Sequence, residues 1–301
     1  MSKANLMLMA AVVLWGITIV PTKWGLETFP PFTLMFLRLV LASLIFLPFA
    51  WKRAQERLGT ILVPWGRIAL LSFTGVAGYF LFNSAGVALT SGVHASIISA
   101  SLPLFTLLLA AFYLKETITV PQWLGLFMGT LGVLLITVQS DTQHGSSVLG
   151  DLLVLASELI WAIYVIQMKR PQGEERLPSE LFTALTLFIG GIMILPFAAV
   201  ETWIYGWSEL TLTSLWIVVF LVLGPTIMAY WLWNKGIAST SAARAGIYLN
   251  AMPLISVLGS VSLLGEHLTW KTVFGGVLVL VGVFGSERAK RIEQPVAVST
   301  E

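Results

Sequence analysis

Residues 86–133, GVALTSGVHASIISASLPLFTLLLAAFYLKETITVPQWLGLFMGTLGV, fall onto residues 236–283, GIASTSAARAGIYLNAMPLISVLGSVSLLGEHLTWKTVFGGVLVLVGV, when the chain is slid along itself by 150 positions. Fifteen of 48 positions are identical. The matches include Thr90 with Thr240, Pro103 with Pro253, Glu116 with Glu266, Thr119 with Thr269 and Gly132 with Gly282, residue types that apolar composition alone does not supply. One residue out of that register, Tyr79-Phe-Leu-Phe-Asn83 matches Tyr230-Trp-Leu-Trp-Asn234, and Trp15 corresponds to Trp161 in the first helix of each half. The chain is a duplication.

What is duplicated follows from composition. The 301 residues are 57% apolar and 11% charged, against about 25% charged in a soluble domain. A helix crossing a bilayer needs about 20 apolar residues, and such stretches recur at about 6–26, 32–50, 67–87, 93–114, 120–138, 149–168, 180–200, 211–234, 243–264 and 270–286. Barrel strands alternate in polarity, whereas residues 41–49 and 277–284 are apolar almost without interruption. The expectation is an all-α integral membrane protein of ten transmembrane helices. Residues 1–143 form the first five-helix repeat, 147–286 the second and 287–301 a polar tail. An odd number of helices per repeat inserts the second copy upside down relative to the first, and such inverted repeats suit alternating access.

Charge sets the orientation and excludes partners. With both termini cytoplasmic, fourteen Lys and Arg lie on the inner side and only Lys23 and Lys271 on the outer side, with Arg38 inside a span; this is the bias expected of an inner face. A net charge of +2 spread along the chain is too weak for nucleic acid. With no cysteine there is no thiolate metal site or thiol nucleophile. No phosphate loop, metal cluster or Ser/His/Asp arrangement is visible, which argues against ATP-driven pumping and against a membrane enzyme. No metal or cofactor is expected, and the partners are a small-molecule substrate and the bilayer; monomer and homodimer both stay open. Gly125, Gly129, Gly275, Gly276, Gly282 and Gly285 read as close-packing surfaces.

Charged residues inside the membrane are costly and usually serve a cavity or a partner. Glu158, midway along span six, shares a helical face with Trp161; a carboxylate beside an indole suits a substrate ammonium or a coupled proton. Arg38 lies at comparable depth in span two, where it could pair with Glu158 or Glu27, receive a substrate carboxylate, or snorkel to the interface. Tyr79 with Asn83, and Tyr230 with Asn234, present a hydroxyl and an amide on one helix face. Trp15, Tyr248 and Asn250 complete the candidate translocation path. Pro103 and Pro253 interrupt spans four and nine and are candidate hinges. His94 and Arg244, aligned at the starts of those spans, are candidate gate residues, as is Lys23, which also reads as an interface anchor.

Each half ends in an acidic residue, a following Thr and a glycine-spaced last helix (Glu116-Thr-Ile-Thr119 to Gly132; Glu266-His-Leu-Thr269 to Gly282). With Trp15-Gly16 and Arg38, this pattern over about residues 6–286 resembles the EamA-type branch of the drug/metabolite transporter superfamily. The resemblance implies a secondary transporter in a bacterial inner (plasma) membrane, exporting a small metabolite such as an amino acid or related zwitterion. A lipid or lipid-linked metabolite flippase and an amphipathic cation exporter are the alternatives. The second half has no counterpart of Arg38, so the repeats are not functionally equivalent.

Overall fold

The computed structural model describes residues 3–58, 65–115, 117–137, 146–169, 179–238, 248–249 and 251–293, with side chains left aside at 53–58, 114, 169, 179, 234, 237–238 and 286–293. Among the described residues there is no strand; the chain is helical throughout. Among the described residues eight helices are long and apolar enough to cross a membrane and two shorter apolar ones follow, which fits an integral membrane protein of ten crossings built as two repeats.

Crossing one is two segments, α1 (Lys3–Gly16) and α2 (Ile19–Leu26). Crossing two is α3 (Pro31–Leu58). Crossing three runs from α4 (Trp65–Ser72) through a π-helical turn (Phe73–Ala77) into α5 (Gly78–Leu89). Crossing four divides into α6 (Gly92–Ser99) and α7 (Leu102–Leu114), and crossing five is α8 (Val120–Thr137). The second half repeats this with α9 (Val148–Lys169) and α10 (Ser179–Tyr205). Then α11 (Leu212–Leu221), a π-helical stretch (Val222–Met228) and α12 (Ala229–Ala238) form crossing eight. α13 (Met252–Leu263) and α14 (Trp270–Glu293) belong to crossings nine and ten.

The repeats are units of sequence, and their helices interleave in packing. α1 packs on α12 and α13, while α9 packs on α5, α6 and α7. Two bundles result, crossings one, eight and nine against crossings three, four and six. Each takes its first-helix member from the other repeat. The packed bodies are therefore not the two sequence repeats. Glycines permit the close approaches. A side chain on Gly236 would strike Leu8 and Ala4, and one on the equivalent Gly86 would strike Val154 and Gly150. α8 and α14 cross where Gly132 faces Gly275 and Gly282 faces Gly125 and Gly129, again the same contact with the repeats exchanged. These glycines join helices of one chain.

Pro103 stands at the second position of α7, after the helix has already broken at Ala100 and Ser101, and Pro253 holds the same place in α13. A missing N–H costs nothing in a first turn. These prolines therefore start new helical segments and do not bend continuous ones. Of the twelve tryptophans, nine are exposed on the outside of the bundle, as an interfacial belt requires. The other three, Trp15, Trp161 and Trp233, are inside, and they lead to the site.

Candidate functional site

Trp161 meets Tyr79 with ring centroids 4.7 Å apart and planes at 63°, and Trp15 meets Tyr230 at 5.3 Å and 74°. Each pair joins crossing one or six to crossing three or eight of the opposite repeat, so the inverted symmetry extends to individual side chains. Phe80 and Tyr164 extend the first pair and Trp233 the second into two aromatic clusters, with centroid separations of 5.0, 5.4 and 5.3 Å.

Both π-helical segments border these clusters. Insertions of this kind free backbone groups and recur at functional sites. Pro225 has no N–H to return to crossing eight, and the Leu221 carbonyl is taken instead by the Thr226 hydroxyl at 2.8 Å. The Pro225 carbonyl accepts the Trp15 indole N–H at 2.9 Å. Thr226 Oγ also accepts from Arg38 Nε at 2.9 Å. Arg38 is thus held inside the protein, 7% exposed, with its guanidinium 5.4 Å from the centre of the Phe80 ring. It neither snorkels nor bridges to Glu27 or Glu158.

Glu158 is 2% exposed, and its Oε1 has no hydrogen-bond partner among the described residues. Ser99, the last residue of α6 before the break in crossing four, faces the carboxylate. Tyr79 lies within electrostatic reach of Glu158, Arg38 and Tyr230 together. The structure therefore brings Glu158, Arg38, Tyr79 and Tyr230 into one interior region, with Trp161 packed on Tyr79 and Trp15 on Tyr230. Asn83 adjoins it, its amide 3.4 Å from Ser157 Oγ. Tyr248 is half-buried and makes no hydrogen bond or ring contact among the described residues. Asn250 and Arg244 lie outside the described residues, as do Glu116 and the Asn234 side chain.

Two candidate gate residues meet elsewhere. Lys23 Nζ donates to the Thr90 carbonyl, Thr90 Oγ donates to Asp151 Oδ1, and His94 Nδ1 lies 3.1 Å from Asp151 Oδ2. Asp151 is fully buried, and the sequence reading passed over it. The available signal was an acidic residue in the first turn of an otherwise apolar span. Beside it, Glu266 accepts from the Gly92 and Val93 amides at 2.7 Å each and closes the N-terminus of α6. At the same end, Glu201 accepts from Phe32 N, Thr33 N and Thr33 Oγ and caps α3.

A separate cleft of about 580 Å³ lies between α2 and α11, lined mainly by Ile17, Val20, Trp24, Trp216 and Phe220 with Glu27 among its few polar residues. None of the central cluster lines it.

The fold and its repeat have counterparts among known proteins. The model of the EamA-like transporter family matches residues 2–138 and again 148–287. An uncharacterized transporter of Archaeoglobus fulgidus is 30% identical over 285 residues, covering 94% of this chain and 98% of its own. Proteins of Salmonella typhimurium and Escherichia coli, each named "Probable amino-acid metabolite efflux pump", are both 26% identical, over 99% of both chains and 94% of both chains respectively. A crystal structure with 22% identity superposes with a TM-score of 0.64 over 97% of this chain and 99% of the other, a likeness of fold.

Proposed function

The chain belongs to the EamA-like transporter family, and from that premise we propose that it is a secondary active exporter of a small zwitterion, an amino acid or related metabolite. It sits in the inner (plasma) membrane of a bacterial cell with both termini cytoplasmic. The protein is a membrane transporter and not an enzyme; substrate, coupling and direction are the proposal.

One observation carries it. Arg38 and Glu158 sit in the same interior region, yet Arg38 spends its Nε on a neutral hydroxyl and Glu158 keeps an oxygen without a partner. An uncompensated buried charge is expensive, and a substrate bearing both a carboxylate and an ammonium compensates the two at once. The carboxylate goes to Arg38, the ammonium to Glu158, and the aromatic clusters hold the apolar part, with cation–π attraction adding to the ammonium contact. Glu158 also takes the coupled proton when the ammonium is absent. The names of the Salmonella and Escherichia relatives agree with this substrate class.

Transport proceeds by rocking of crossings one, eight and nine against crossings three, four and six. Pro103 and Pro253 mark the segment boundaries that serve as hinges. Lys23 and His94 belong to the gate at one end, with Arg244 assigned to the opposite one. The test is a panel of amino acids, amphipathic cations and lipid reporters presented to sealed proteoliposomes at two pH values. Saturable counterflow of a zwitterion supports the proposal; flux confined to amphipathic cations or lipids refutes it. The lateral cleft between α2 and α11 favours that second reading, because its apolar walls and the Glu27 carboxylate suit an amphiphile.

A further inference from the structure

We infer that Asp151 is the positioning residue of the gate at the Lys23 end of the transporter, which the orientation proposed above makes the outer gate. The inference rests on the alternating-access reading and adds a residue and a latch to it. Two polar contacts cross between the moving bundles at this end, beside the packing of α6 on α13. Lys23, on crossing one, donates to the Thr90 carbonyl at the turn between crossings three and four. Glu266, between crossings nine and ten, accepts the Gly92 and Val93 amides two residues further on. Opening toward this end must break both.

Both contacts land on the short segment 90–93, so the shape of that segment decides whether the latch closes. Three side chains set it. The Ser91 hydroxyl accepts the His94 amide at 3.1 Å and fixes the start of α6. Thr90 is turned by its hydroxyl bond to Asp151, and the His94 ring lies against the other oxygen of the same carboxylate. One buried carboxylate on α9 thereby holds both ends of the turn, while the polar contacts from the opposing bundle go to its backbone. Thr90, Ser91, His94 and Asp151 are all buried. Lys23 is half-buried and faces the charge of Glu266. Asp151 acts through Thr90 and does not meet the substrate.

The chain has no cysteine, which allows a side-specific test in the full-length protein reconstituted in vesicles. Ser96, buried one turn below the latch on α6, and Thr74, buried in the π-helical turn on the Trp65 side of crossing three, are each replaced singly by cysteine. Impermeant thiosulfonate reagents are then applied from one side at a time. With Asp151→Asn or Thr90→Val, labelling of S96C from outside rises about tenfold, and labelling of T74C from inside falls in step, because a shift between two states moves both in opposite senses. Local unfolding would raise both. Glu209→Cys, on an exposed loop, corrects for reagent reactivity. Unchanged labelling of S96C in Asp151→Asn and Thr90→Val proteins that melt like the parent overturns the role of Asp151, as does a rise at both reporters. If in the parent background neither reporter responds to a transported substrate although counterflow is intact, alternating access between these bundles fails instead.

Discussion

Trp161 packs edge-on against Tyr79, and both belong to crossings that come from different repeats. The same contact is made by Trp15 and Tyr230 with the repeats exchanged. Aromatic pairs of this geometry contribute about 0.5–1.5 kcal/mol beyond their buried area, so each bundle is joined at its centre by a contact that also forms the wall of the site. Trp161→Ala is expected to remove the wall beside Glu158 and raise the KM for a zwitterion more than it lowers the maximal rate. Counterflow at graded substrate concentrations measures the split.

Glu158→Gln keeps the shape and one carbonyl oxygen but removes the charge. It is expected to abolish proton-driven transport while leaving a folded protein, since the carboxylate has an oxygen without a hydrogen bond to lose. Flux driven by an imposed pH gradient, with thermal melting alongside, checks this; retained gradient-driven flux in the variant removes the coupling role.

Arg38→Lys substitutes an ammonium for the fork that reaches Thr226 through Nε. The two cations differ in donor geometry, so carboxylate-bearing substrates are expected to lose affinity at least about tenfold, the equivalent of one charge-assisted hydrogen bond. Thr226→Val should show a smaller loss in the same direction. Competition by amino acids and by the corresponding uncharged amides separates loss of carboxylate recognition from general damage.

The crossing of α8 and α14 has no room for a side chain at Gly282, where a Cβ would meet the Gly125 carbonyl and the Gly129 backbone. Gly282→Leu is expected to destabilise the protein by about 3 kcal/mol or more, at the upper end of overpacking costs. Gly66→Ala, in α4 with open space around it, should be neutral or stabilising by up to about 1 kcal/mol. Melting temperatures of the two variants in one detergent make the comparison.

Glu201 fastens crossing seven to the start of crossing two through both its oxygens. Glu201→Ala leaves the first amides of α3 unpaired and is expected to cost about 1–2 kcal/mol, the range for losing a cap. Hydrogen exchange at Phe32 and Thr33 should accelerate while the core of α3 stays protected.

The ten crossings were legible because a bilayer demands long apolar runs and tolerates few charges, and the duplication was legible because Pro, Glu and Thr recur at one register. Trp15, Trp161, Tyr79 and Tyr230 could each be picked out as interior polar or aromatic positions. Their exchange between repeats could not, since helix pairing in a membrane is decided by small residues whose partners a sequence does not name. Arg38 shows the same limit. Its depth suggested an acidic partner, but the side chain goes to Thr226, whose hydroxyl is placed by a π-helical turn that leaves no periodic trace. Asp151 escaped notice because an acid in the first turn of a helix has an ordinary explanation in the helix dipole. Only the fold shows that Thr90 and His94 share it.

The claim on which the rest depends is that substrate binds between Arg38 and Glu158. Ser99 is half-buried and faces Glu158, so alkylation of a single cysteine at Ser99→Cys in the reconstituted protein reports on occupancy there. A transported zwitterion should slow the reaction severalfold, with half-protection at the concentration that half-saturates counterflow. Counterflow that proceeds while the alkylation rate at that position stays the same at saturating substrate would place the binding site elsewhere.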